Sequence, residues 1–199
     1  SGICLFARQI LYNHAMRGGG VIYFALDWSP REVVEEMTVY GMDITRFLQD
    51  GRWVFIDAHG PKRGKPAAAS DALDSLREEY VQGIGGAVWS AIESLSQLIF
   101  MYGFRNVLDH IETIQFAARE KGGLHFLLTN PSIHDPKEVA LLEHLVDIVL
   151  HFSQREIRGG DILNLIRVKK VKRGLFIPKI IPFEITPHGI SVETAVRIP

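Results

Sequence analysis

Four short apolar runs punctuate the chain: Val21–Leu26, Trp53–Ile56, Ala87–Ile92 and Leu124–Leu128. Each is too short for a helix and rich in β-branched and aromatic residues. Each also lacks the polar alternation of a half-solvated strand, so all four predict strands covered on both faces. The third run, entered from Gly85-Gly86, meets Glu93, Ser94 and Ser96 where its carboxyl end should lie. The others end at Asp27, at Asp57 with His59, and at Thr129-Asn130.

Between the runs the spacing turns helical. Cys4, Ala7, Leu11 and Ala15 form one stripe over 3–16, with Phe6 and Ile10 beside it, and Gly18-Gly19-Gly20 stop that helix. Ser29, Pro30 and Glu32 predict a capped helix start, continued by Val33, Met37 and Tyr40. A short helix follows Asp43. Leu73, Leu76 and Tyr80 mark a helical face over 70–80, and Val107, Ile111, Ile114 and Ala118 mark another over 106–121. Asp135, Pro136 and Glu138 start one more.

After Leu145 the character changes. Runs at Val146–Ser153, Ile162–Val171, Ile180–Ile185 and Ile190–Val196 are separated by Gly and Pro turns, and predict antiparallel strands completing the sheet at its edge. Strands alternating with helices imply right-handed parallel βαβ units. The expected class is α/β: a three-layer, mostly parallel sheet flanked by helices, with C-terminal antiparallel strands, in one domain over 1–199.

Composition narrows the function classes. With 47% apolar and 23% charged residues, the 199-residue chain suits a single folded core. A net charge of −1 advertises neither nucleic acid nor an anionic membrane. The single Cys4 rules out an internal disulfide and fits a reducing, cytoplasmic setting. No apolar run reaches the roughly 20 residues that span a bilayer. The eight histidines show no metal-ligand spacing, and His59, His134 and His188 receive no role. The basic residues Lys62, Arg63 and Lys65, and Lys169–Arg173, have no aromatic platform beside them, so nucleic-acid binding is unsupported.

The phrases FARQILYN (6–13), GGVIYFALDWSPREV (19–33), IESLSQLIF (92–100) and FLLTNP (126–131) stand in a telling order. So do EHLVDIVLHF (143–152), LIRVKKVKRG (165–174) and IPFEITPHGISV (181–192). Together they resemble a KaiC-like, RecA-superfamily ATPase along essentially the whole chain. The resemblance implies a RecA-like fold, ATP and magnesium as ligands, and assembly with copies of itself or related RecA-like subunits. It places the family's first strand and the start of the phosphate loop ahead of Ser1.

Carried over residue by residue, the resemblance also implies a degenerate site. Gly2 matches the loop glycine, but Ile3 stands for the phosphate-binding lysine and Cys4 for the magnesium-ligating hydroxyl. Isoleucine supplies no charge, and a thiol is a poor ligand for a hard cation. The family's paired glutamates correspond to Asp27 and Trp28, leaving Asp27 as the candidate base. Glu93 falls at the magnesium-holding acid, Asn130 at a sensor of the terminal phosphate, and Lys170 and Lys172 at the pair that reaches a neighbouring subunit's nucleotide. Lysine in place of arginine loses bidentate phosphate contact. The expectation is a binding, assembly or regulatory module with weak or lost ATP and magnesium binding; the alternative is a weakly active ATPase in a ring or filament.

Overall fold

The computed structural model describes residues 2–59, 88–157, 159–176 and 179–192. The loop expected at 60–69 and the helix expected at 70–80 lie outside them. In chain order the described elements are α1 (Ile3–Met16), β1 (Val21–Ala25), α2 (Pro30–Val39), α3 (Thr45–Gln49), β2 (Trp53–Asp57) and β3 (Trp89–Ile92). Next come α4 (Leu95–Tyr102), α5 (Phe104–Lys121), β4 (His125–Leu127), a 3-10 turn (Pro131–Ile133) and α6 (Pro136–Leu145). The tail holds β5 (Ile148–Glu156), β6 (Ile162–Val171), β7 (Ile180–Thr186) and β8 (Gly189–Val192).

The four apolar runs form one parallel sheet in the order β2-β1-β3-β4. All five residues of β1 are buried, as a strand covered on both faces requires. Ile22, Phe24 and Ile92 pack with Leu95, Leu98 and Ile99 of α4 and Val107, Ile111 and Ile114 of α5. On the other face, Val21, Tyr23, Ala25, Trp53 and Ala91 pack with Leu5, Leu11 and Ala15 of α1, Val33 and Met37 of α2, and Phe47 of α3. Alternate residues of one strand thus feed two cores, because side chains alternate across the pleat. The predicted three layers result.

Two caps form as the sequence predicts. The Ser29 hydroxyl accepts from the Glu32 N–H, and the Glu32 carboxylate accepts from the Ser29 N–H at 2.8 Å, a complete capping box. Asp135 caps α6 by accepting from Lys137 N–H at 2.7 Å. Helix α4 was not foreseen: the polar residues after Glu93 read as a strand end. Ser94 is its N-cap, and Gly103 at φ +79° turns the chain into α5. Few non-glycine residues adopt that conformation without cost.

One expectation is corrected. The tail strands do not complete the parallel sheet as a mixed sheet. They form a second, antiparallel sheet in the order β5-β6-β7-β8. Among the described residues, no ladder joins β4 to β5. Side chains make the link instead: Phe6 of α1 meets Phe126 of β4 at 6.4 Å between ring centres and Phe152 of β5 at 5.2 Å. Gln9 adds a two-way clamp, donating to the Ile190 carbonyl at 3.1 Å and accepting from the Ile190 N–H at 2.6 Å. Helix α1 therefore holds the two sheets together.

A half-buried histidine on β4 gives a pH test of this core. His125 bonds to the Ser90 hydroxyl at 3.0 Å, and burial pushes its pKa below the ordinary value. The unfolded chain then takes up a proton more readily than the folded one. Stability should fall as pH drops through about 6.5, and should level off below the folded-state value. Urea midpoints near pH 8 and near pH 5 should show that loss, and His125→Gln should reduce it. A His125→Gln profile identical to wild type would show that other groups carry the acid sensitivity.

Candidate functional site

Parallel pairing brings the expected strand-end residues to one edge. Ala25 pairs with Asp57, Phe24 with Ile92, and Ile92 with Leu127, so Asp27, Asp57, Glu93 and Asn130 all follow the carboxyl ends of adjacent strands. Ligands bind outside this edge in open α/β sheets.

Glu93 is 4% exposed, and both its oxygens are bound within the chain. One pairs with the Arg8 guanidinium and accepts from the Tyr23 hydroxyl at 3.2 Å. The other faces three consecutive backbone N–H groups: Leu26 at 3.1 Å, Asp27 at 3.2 Å and Trp28 at 3.4 Å. The carboxylate thus clamps the turn between β1 and α2 as a fixed anion would.

Arg8 is the residue that sequence reasoning passed over. It lies on α1 and is 1% exposed, so its charge must be met inside the fold. It pairs with Glu93 and with Glu36 of α2, and its Nε donates to the Tyr23 hydroxyl at 2.8 Å. Its guanidinium also lies 5.7 Å from the Trp28 ring centre. Burial pushes the Tyr23 phenol above its ordinary range, keeping it a neutral donor to Glu93. The sequence signal was available: Arg8 is an arginine set beside Ala7 in the apolar stripe of α1, needing an acid elsewhere.

The phosphate-loop positions begin α1. Gly2 is buried as its N-cap, and a methyl group there would come within 2.9 Å of Phe183 on β7. Ile3 and Cys4 are half-buried, and burial raises the Cys4 pKa, so the thiol stays protonated. A protonated thiol is no magnesium ligand. Among the described residues, no cluster of three or more His, Cys, Asp or Glu side chains could hold a metal ion.

Asn130 is exposed beyond β4. Its Oδ1 accepts from Ser132 N–H at 3.1 Å, opening the 3-10 turn. Its own N–H donates to the Ser96 hydroxyl at 2.9 Å.

Lys170 and Lys172 lie in and just after β6, in the second sheet. The Lys170 ammonium donates to the carbonyls of Glu143 at 2.6 Å, His144 at 2.8 Å and Val146 at 2.8 Å, where α6 ends. Three donors meet three helix-end acceptors, which is the full capacity of an ammonium. Lys172 lies 4.0 Å from the Asp147 carboxylate, and Lys169 pairs with Glu143 at 2.7 Å.

The pattern of the KaiC ATPase family matches residues 1–197. The chain belongs to that family. This KaiC-family chain is 22% identical over 198 residues to the circadian clock oscillator protein KaiC of Acaryochloris marina, covering 96% of itself but 38% of that protein. It is 26% identical over 214 residues to a UPF0273 protein of Aeropyrum pernix, covering 100% of itself and 84% of that relative. Its fold is similar to that of a KaiC-like protein from Pyrococcus horikoshii OT3, with a TM-score of 0.73 at 17% identity, over 96% of this chain and 84% of that one. The RecA-like fold of the KaiC family is thus shown by sequence and by architecture.

Proposed function

We propose that this KaiC-family chain is a catalytically degenerate ATPase homologue that serves as a binding, assembly or regulatory module. The observation that carries this reading is the state of Glu93. The acid at the magnesium-holding position is neutralised by Arg8 and spends its second oxygen on three backbone N–H groups. Ile3 and Cys4 add neither charge nor a hard oxygen ligand. These donors do not fit a magnesium–triphosphate complex, so no hydrolytic step is derived through one. The chain's partner is a second copy or a related RecA-like subunit, packed head-to-tail as a heterologous contact.

Calorimetry with ATP and magnesium should show weak or no binding. Micromolar affinity would overturn the reading. The pair Ile3→Lys with Cys4→Thr restores a point charge and a hydroxyl. A hydrogen bond to a charged group contributes about 1.5–3 kcal/mol, so affinity should rise about tenfold to a hundredfold. The second reading is a weakly active ATPase working in a ring or filament. It is favoured by the meeting of Asp27 and Asn130 at one sheet edge, and ATP turnover abolished by Asp27→Asn would select it. Sedimentation at tens of micromolar tests the assembly: a monomer at low and high salt would remove that part of the proposal. No helix among the described residues is long and apolar enough to cross a membrane. The proposed setting, supported by the single cysteine Cys4, is the cytoplasm.

A further inference from the structure

The near-neutral net charge hides a local excess at one end of the second sheet. Between Ile162 and Phe183 the chain carries six lysines and arginines and no acid. Lys170 is spent on the end of α6, Lys169 pairs with Glu143, and Lys172 lies 4.0 Å from Asp147. Arg167, Arg173 and Lys179 are exposed and have no ion pair among the described residues. Apolar side chains stand at the same end. Leu175 is fully exposed, and Phe176, Ile180 and Ile148 are exposed as well. Register holds these groups together: Ile180 pairs with Arg167, Ile148 pairs with Val171, and the Lys172 N–H donates to the Asp147 carbonyl at 2.7 Å. Leu175 and Phe176 follow directly in the turn that leaves β6. That turn stands clear of the fold: at Gly174, with φ +127°, an added methyl group would meet only Val171, at 3.9 Å.

Single exposed apolar residues are ordinary, but a cluster of them rimmed by charge marks an interaction site. Two features of this cluster select the partner. The first is sign. The acids at this end, Glu143 and Asp147, each face a lysine, so the unspent charge is positive and the surface it meets is anionic. The second is shape. The apolar residues lead on a projecting turn, with Lys172 and Arg173 before them in the chain and Lys179 after them. A bilayer presents the matching order, a plane of anionic headgroups with an apolar layer beneath. The tip enters that layer while the long cationic stems reach back to the phosphates. Nucleic acid would use the cations but leave Leu175 and Ile180 in water. A protein partner would need a preformed apolar pocket ringed by acids.

We propose that the turn leaving β6 is a peripheral membrane contact, in which Leu175 and Phe176 enter the headgroup–acyl boundary of an anionic bilayer and Arg167, Arg173 and Lys179 hold its phosphates. So few apolar side chains and cations give reversible binding rather than anchoring. The inference goes beyond the degenerate-site reading and does not rest on it, because no residue of the carboxyl edge takes part.

The test is co-sedimentation of the whole chain with lipid vesicles. Wild type should bind vesicles containing phosphatidylglycerol, bind vesicles of phosphatidylcholine alone at least about tenfold more weakly, and be released as salt is raised. Leu175→Asp should weaken binding about tenfold to a hundredfold, the affinity equivalent of burying one leucine. Arg173→Gln should weaken it about fivefold. Both side chains are exposed, so an unchanged Tm should show that both variants fold. Leu175→Trp should keep the binding, and brominated acyl chains should quench its emission more than that of wild type. Equal binding to both kinds of vesicle, or binding to neither, overturns the proposal. So does a Leu175→Asp variant that binds as wild type does. A lipid-free oligomer that Leu175→Asp reduces to monomer, with no vesicle binding by wild type, also overturns it and assigns the tip to a second copy.

Discussion

Arg8→Ala should lower the unfolding free energy by about 3–5 kcal/mol, the cost of removing one partner from a buried ion pair. The loss comes less from the missing attraction than from what stays behind. Glu93 would remain buried as an unpaired anion, still held by the N–H groups of Leu26, Asp27 and Trp28. Glu36 is 29% exposed at its side chain and can turn to water, so it adds little. Domains hold only about 5–15 kcal/mol in all, so the variant stands near the edge of folding.

The compensating pair Arg8→Met with Glu93→Gln separates causes. The glutamine oxygen can accept from the backbone N–H groups, and its amide can face the Tyr23 hydroxyl. Most of the stability should return, because both charges are gone and the volume is kept. Urea denaturation of the three proteins, extrapolated linearly to water, decides the matter. If the double variant is as unstable as Arg8→Ala, the charge balance is not what the cluster supplies. The same pair tests function from another side. Should wild type bind ATP with magnesium despite the Arg8 contact, Glu93→Gln would reveal whether that acid takes part.

Lys170→Met should cost about 2 kcal/mol, while Lys169→Met, one residue away, should cost less than about 1 kcal/mol. The difference follows from what each ammonium meets. Lys169 forms an exposed pair with Glu143, whereas Lys170 satisfies three carbonyls at the end of α6. Those acceptors have no intrahelical partner, and the negative end of the helix dipole favours a cation there. Methionine keeps the stem but leaves the carbonyls to whatever water reaches them. For a chain of this length about 2 kcal/mol corresponds to a fall of roughly 4–8 °C in Tm. This result also bears on assembly. A lysine reserved for a neighbouring subunit would give the opposite outcome: an unchanged Tm for the monomer and a smaller species in sedimentation. Loss of stability at unchanged sedimentation would show that Lys170 works within its own chain.

The sequence by itself determined the layers. Apolar runs too short for helices had to be strands covered on both faces, and stripes at helical spacing had to lie against them. The stripe of Val107, Ile111 and Ile114 did bury one face of α5 on the sheet. The carboxyl edge holding Asp27, Glu93 and Asn130 followed from the parallel order alone. So did the family, through phrases whose order and spacing survive substitution.

Only the tertiary structure decided how the charges are spent. Local spacing cannot reveal that Arg8 meets Glu93, because 85 residues separate them and only the packing of α1 on the face bearing Tyr23 brings them together. The same holds for Lys170 beneath α6: that contact joins elements whose pairing no periodicity records. The tail shows the limit most plainly. Its strands were legible from alternation and turns, but whether they extend the first sheet or form a second depends on which backbone edges pair. Edge pairing is set by the hydrogen-bonding groups every residue shares, so the side-chain pattern leaves it open; here the aromatic contacts of Phe6 and the clamp of Gln9 join the sheets from α1.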